Sequence, residues 1–109
     1  MINFKAMKEL DSKEEFESFI QNKKPSIVVF STHDCATCKP VKDKIASRFK
    51  DIDAANIYLD DVRELAGELS IFNVPVVCIY LEGKELYRFI RVFSLDKIEE
   101  KINRIMEFI

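Results

Sequence analysis

A chain of 109 residues, 48% apolar, is long enough to bury a core without disulfide staples or a structural metal and too apolar to remain disordered. Its 17 basic and 19 acidic residues are dispersed and sum to a net charge of −2, which excludes a strongly basic nucleic-acid face and an acidic tail. Met1 to Leu10 lacks the apolar segment of a signal peptide, and the longest apolar run, Val74 to Leu81, falls far short of the roughly 20 residues that span a bilayer. These features predict a single unit over 1–109, cytoplasmic and monomeric, with neither a membrane nor a nucleic acid as partner. Nine Phe and no Trp predict a core of Phe and Ile, and two Gly and three Pro leave little room for long loops.

Ile2 to Met7 alternates weakly and reads as an edge strand. Ser12 with Glu15 forms a capping box, and Phe16, Phe19 and Ile20 continue at helical spacing, with the helix ending near Lys23 ahead of Pro25. The run Ser26 to Ser31 is unbroken β-branched and aromatic, the pattern of a central strand buried on both faces. After a polar turn, Val41, Ile45 and Phe49 mark a second helix. Asn56 to Leu59 reads as a strand, and Asp61 with Glu64 opens a short helix carrying Leu65 and Leu69. Val74 to Leu81 is a third apolar run, Glu82-Gly83-Lys84 a turn, and Glu85 to Val92 its hairpin partner. Ser94 caps a last helix with a core-facing stripe of Ile98, Ile102, Ile105 and Ile109. The order β-α-β-α-β-α-β-β-α predicts an α/β fold with a central mixed sheet of four to five strands and helices on both faces.

Cys35-Ala36-Thr37-Cys38 stands where the buried strand hands over to a helix. A helix N-terminus carries unpaired N–H groups and partial positive charge, both of which stabilise a thiolate at Cys35. Cys35 is therefore the expected nucleophile towards a partner disulfide, and Cys38 the resolving thiol that attacks the mixed disulfide. A structural zinc site wants four ligands, usually from two such pairs; here only His33 and Cys78 could add to one, so no metal is expected. Cys78 reads as a small buried hydrophobe.

Strand Ile27–Phe30 leading into Cys35-x-x-Cys38-Lys39, Val74-Pro75 before the next apolar strand, and Gly83 in the hairpin turn together resemble the thioredoxin family over nearly the whole chain. The resemblance implies a thioredoxin fold and a thiol–disulfide oxidoreductase that reduces protein disulfides, with the Cys35–Cys38 disulfide as its redox group and no other cofactor. Its partners would be disulfide-bearing proteins and a recycling reductase or low-molecular-weight thiol. The resemblance also implies a cis Pro75 beside the cysteines, with the Val74 backbone offered to an incoming peptide.

The chain departs from the family pattern at several positions. Asp34 precedes the motif, and Ala36-Thr37 replaces the usual Gly-Pro. Asp34 is expected to oppose a Cys35 thiolate, with His33 and Lys39 countering it. Val29 stands where the family has a buried acid, and Arg91 where it has a glycine near the docking surface, so an altered groove is expected. The alternatives are a non-enzymatic adaptor docking through Pro75 and Arg91, a redox sensor, and a glutaredoxin. The last lacks support because the Gly-Gly-Asp type motif is missing after the Val-Pro strand.

Overall fold

The computed structural model describes residues 7–90 and 94–109. Its elements follow in the order β1 (Lys8–Leu10), α1 (Lys13–Phe19), β2 (Ser26–Ser31), α2 (Cys38–Arg48), β3 (Asp53–Tyr58), α3 (Arg63–Glu68), β4 (Val76–Leu81), β5 (Lys84–Ile90) and α4 (Leu95–Met106). They build one mixed sheet in the order β1-β3-β2-β4-β5. β3 runs parallel to β1 and β2, whereas β4 runs antiparallel to β2 and β5. β2 takes the centre because each of its six residues is buried, and a run of Ile-Val-Val-Phe has no polar side chain to present to water.

Alternation along β2 divides the core. Val28 and Phe30 pack with Phe16 and Ile20 of the α1 segment and Leu65 of α3. Ile27 and Val29 face Ile45 of α2 and Ile98, Ile102 and Ile105 of α4. Helices thus cover both faces, as the element order predicts. Ser12 caps α1, its hydroxyl accepting from Glu15 N–H at 3.1 Å. The reciprocal arm is displaced by one residue: Glu15 accepts from Asp11 N–H rather than from Ser12.

Several boundaries differ from the sequence expectation. The edge strand expected over 2–7 is found at Lys8–Leu10, pairing with Ala55–Ile57 and burying Leu10; Met7 lies outside it, and residues 2–6 lie outside the described residues. α1 stops at Phe19 rather than near Lys23. The Ile20 and Asn22 carbonyls accept instead from Gly83 and Glu82 N–H in the β4–β5 turn, a tertiary demand that local pattern does not carry. β3 begins at Asp53, earlier than Asn56, and α3 starts after Val62 rather than at Asp61. Ile109 falls beyond the end of α4 and is exposed, so it is not part of the core stripe. The expected end of the hairpin at Val92 lies outside the described residues.

α3 ends in a left-handed residue, Ser70 (φ 55°). Ile71 N–H returns to Ala66 O at 2.9 Å and Ser70 N–H to Gly67 O at 3.2 Å, the double closure of a Schellman motif. Arg88 of β5 reinforces this end by donating to the Leu69 and Ser70 carbonyls, while Glu85 accepts from the same guanidinium. The clamp fixes the start of the segment 71–75 that carries Val74 and Pro75.

Candidate active site

β2 and β3 are parallel neighbours, so their C-terminal ends emerge side by side, and the residues after each strand meet. Thr32 to Thr37 follow β2 and Asp60 and Asp61 follow β3. Two turns shape the first segment: Cys35 N–H donates to Thr32 O and Cys38 N–H to Cys35 O, each at 3.3 Å. Cys38 opens α2 and is 2% exposed. Cys35 lies just ahead of the helix, half-buried. Pro40 is accommodated in the first turn, where a missing N–H forfeits no helical hydrogen bond.

The two cysteines form a disulfide with Cα atoms 5.4 Å apart. Thr37 Oγ1 lies 3.4 Å from Cys35 Sγ. A disulfide sulfur has no proton, so the hydroxyl is the donor here, and the Thr37 side chain makes no cap bond to the helix. Ala36, Thr37 and Lys39 are exposed around the pair.

A pocket of about 290 Å³ opens beside the disulfide, lined by His33, Lys39, Lys42, Asp43 and Tyr58 as well as both cysteines and Thr32. His33 stacks on the Tyr58 ring at 3.8 Å between centroids. Its Nε2 is 2.7 Å from Asp61 Oδ2, and its backbone N–H donates to Asp60 at 3.1 Å. The Asp61 hydrogen bond raises the imidazole above its ordinary value; the partial desolvation opposes this, and the Asp61, Asp60 and Glu9 charges add to it. Lys42 Nζ donates to the Tyr58 hydroxyl at 2.8 Å. Asp34 turns to its own loop, accepting from Thr32 Oγ1 at 2.9 Å. His33, Asp60 and Asp61 are the one grouping among the described residues whose donor atoms gather as for a metal, within 4.8 Å. All three are exposed; Asp61 is bonded to the imidazole and Asp60 to the His33 backbone N–H.

The Val74–Pro75 peptide is cis. Pro75 is buried and Val74 half-buried, and Val76, directly after them, pairs with Ile90. Phe72, 80% exposed, and Ile90 are apolar side chains left in water along this stretch. Arg91 lies outside the described residues. Val29 is fully buried among apolar neighbours. The polar residues on its side of the sheet form a separate chain: Ser31 Oγ donates to Asn56 Oδ1 at 2.6 Å, and Asn56 Nδ2 donates to Glu9 at 2.9 Å. Cys78 is fully buried, and burial pushes its thiol up to about 12. Its neighbour Tyr80 is raised by the same cause and carries a buried hydroxyl with no good partner, sulfur being a weak one.

Sequence reasoning singles out His33 but misses Tyr58, Asp60, Asp61, Lys42 and Asp43. The signal was available for the first three, because parallel pairing of the first two core strands sends the residues after each strand to the same end of the sheet.

A disulfide between a half-buried and a buried cysteine, at the start of a helix and at the carboxyl end of a central strand, in a mixed five-stranded sheet, defines a thioredoxin-fold dithiol protein. The thioredoxin family model matches residues 7–104, and the chain belongs to the thioredoxin family, whose members are thiol–disulfide oxidoreductases. A relative from Bacillus subtilis, thioredoxin-like protein YdfQ, is 33% identical over 104 residues, covering 93% of each chain. Thioredoxin H2 of Arabidopsis thaliana is 26% identical over 93 residues, covering 83% of this chain and 69% of its own. Among solved structures, the thioredoxin of Trypanosoma brucei brucei superposes with a TM-score of 0.81 at 20% identity, covering 96% of this chain and 95% of its own. That of Fasciola hepatica gives 0.75 at 24% identity, covering 90% and 98%. These last two speak to the fold alone. No helix among the described residues is long and apolar enough to cross a membrane.

Proposed function

We propose that this protein reduces disulfides in other proteins, with Cys35 as nucleophile and Cys38 as resolving thiol. The observation that carries the reading is the unequal burial of the pair: Cys35 is half-buried, whereas Cys38 is 2% exposed. A partner sulfur can reach only the first.

In the reduced chain the Cys35 thiolate attacks one sulfur of the partner disulfide. A mixed disulfide forms, and the partner's other sulfur leaves as a thiolate that takes up a proton. Cys38 then loses its proton and attacks Cys35 Sγ, releasing the partner's first sulfur as a second thiol and closing Cys35–Cys38. Two electrons pass to the partner, and no further cofactor is needed. A reductase or a low-molecular-weight thiol resets the pair. Val74 and Pro75 line the approach, with the Val74 backbone offered to the partner chain, and exposed Phe72 and Ile90 favour an apolar segment next to the partner's cysteine. The setting is the cytosol, where thiols are kept reduced, and the working unit is a monomer.

Substitution separates the two roles. Cys38→Ser accumulates mixed disulfides with targets, recoverable as complexes that dithiothreitol releases. Cys35→Ser abolishes reduction. Wild-type turnover by Cys35→Ser contradicts the assignment.

A further inference from the structure

Disulfide reduction needs protons delivered and removed at sulfur. The core side of the dithiol offers little for this. In the core under α2, Val29, Ile45 and Val77 pack in one apolar cluster, and the buried Ser31 and Asn56 are bonded to each other and to Glu9. The open side differs: of the side-chain types that line the pocket with the cysteines, imidazole is the one whose ordinary pKa lies nearest neutrality.

We propose that His33 is the acid–base group of the dithiol reaction and that Asp61 is its positioning residue. The inference rests on the reading of Cys35–Cys38 as a disulfide-reducing pair. Two contacts fix the imidazole beside the pocket, Asp61 on Nε2 at 2.7 Å and the Tyr58 ring stacked on it at 3.8 Å, and Asp60 holds the His33 backbone N–H. A base held by a carboxylate beside a nucleophile is the arrangement that activates thiols and hydroxyls elsewhere.

The surrounding charges decide whether the imidazole holds a proton. Asp61, Asp60 and Glu9 lie on the side of β3 and β1, and all three hold the proton on; its pKa is raised accordingly. On the α2 side the pocket is lined by Lys39, Lys42 and Asp43. Lys42 is committed to the Tyr58 hydroxyl, and Asp34, on the same loop as His33, to Thr32.

The proton balance closes over the cycle. His33 takes the proton of Cys35, leaving a thiolate facing an imidazolium. The thiolate attacks, and the imidazolium protonates the partner's departing sulfur. Neutral His33 then accepts the Cys38 proton as that sulfur attacks Cys35, and returns it to the second leaving thiolate.

Leaving-group dependence tests this in a way that a structural role cannot mimic. Pre-reduced protein is mixed with hydroxyethyl disulfide, whose alkyl thiolates need a proton to leave. It is mixed separately with a dithiobis-nitrobenzoate, whose aromatic thiolates do not. His33→Gln is expected to slow both reactions through loss of the base at Cys35, to slow the alkyl one at neutral pH roughly tenfold or more beyond the aromatic one, and to erase the inflection that His33 gives the wild-type rate profile. Asp61→Asn is expected to move that inflection to lower pH. Equal slowing of both disulfides, or a His33→Gln profile that overlays wild type, overturns the inference. A wild-type chain that reduces neither disulfide overturns the reading of the pair itself.

Discussion

Ser31 on β2 donates a hydrogen bond to Asn56 on β3 across 2.6 Å, and both side chains are fully buried next to Val29. The pair is satisfied at its outer end by Glu9, so this part of the sheet is polar but closed. Removing one member leaves the other without its partner in a water-free site, a penalty of about 1–3 kcal/mol. Ser31→Ala is expected to lower stability by that amount in urea titration. Val29→Asp, which buries an unpaired acid among Ile45, Val77 and Ile98, should cost more than Ser31→Ala on the same assay.

Ser70 occupies the left-handed position that closes α3, a conformation glycine adopts without strain. Ser70→Gly is therefore expected to stabilise the fold by about 0.5–1 kcal/mol, read as a higher urea midpoint. Arg88→Met removes the donor to the Leu69 and Ser70 carbonyls and should cost about 1–3 kcal/mol.

Cys78 is fully buried with its thiol pushed up to about 12, so it holds almost no thiolate near neutrality. After reduction, iodoacetamide near pH 8 should label Cys35 quickly and leave Cys78 untouched in the folded chain; unfolding in urea should add Cys78 to the labelled set. Mass spectrometry of the intact protein separates the cases.

His33 is the single histidine of the chain, so its titration is read directly from one imidazole resonance. Its folded pKa is raised by Asp61. A raised pKa means that the folded state binds the proton more tightly than the unfolded one. This contribution to stability is complete below the unfolded value and fades as pH rises through the folded one. The urea midpoint should fall over that window in wild type, and the fall should shrink in Asp61→Asn.

The element order and the sheet class were legible because apolar period and caps are local. Ile27–Phe30 is continuously apolar, Ser12 and Ser94 are capping residues, and Ile98, Ile102 and Ile105 repeat at helical spacing. The family match extends this to the dithiol fold. What escaped depended on distant partners. The early end of α1 answers to hydrogen bonds from Glu82 and Gly83. Asp61, read as the start of α3, is instead engaged by His33 across the two strand ends. Ile109 carries the right spacing for the stripe, but α4 ends before it.

The most direct measurement is a redox titration of Cys35–Cys38 in a dithiothreitol buffer, read by thiol alkylation and intact mass. A reductase requires a reversible two-electron transition below the glutathione poise, roughly −220 to −260 mV by biochemical extraction. That result, lost in Cys35→Ser and Cys38→Ser, is the one predicted here. A pair that shows no reversible transition, or one poised well above glutathione, contradicts the assignment of this chain as a protein-disulfide reductase.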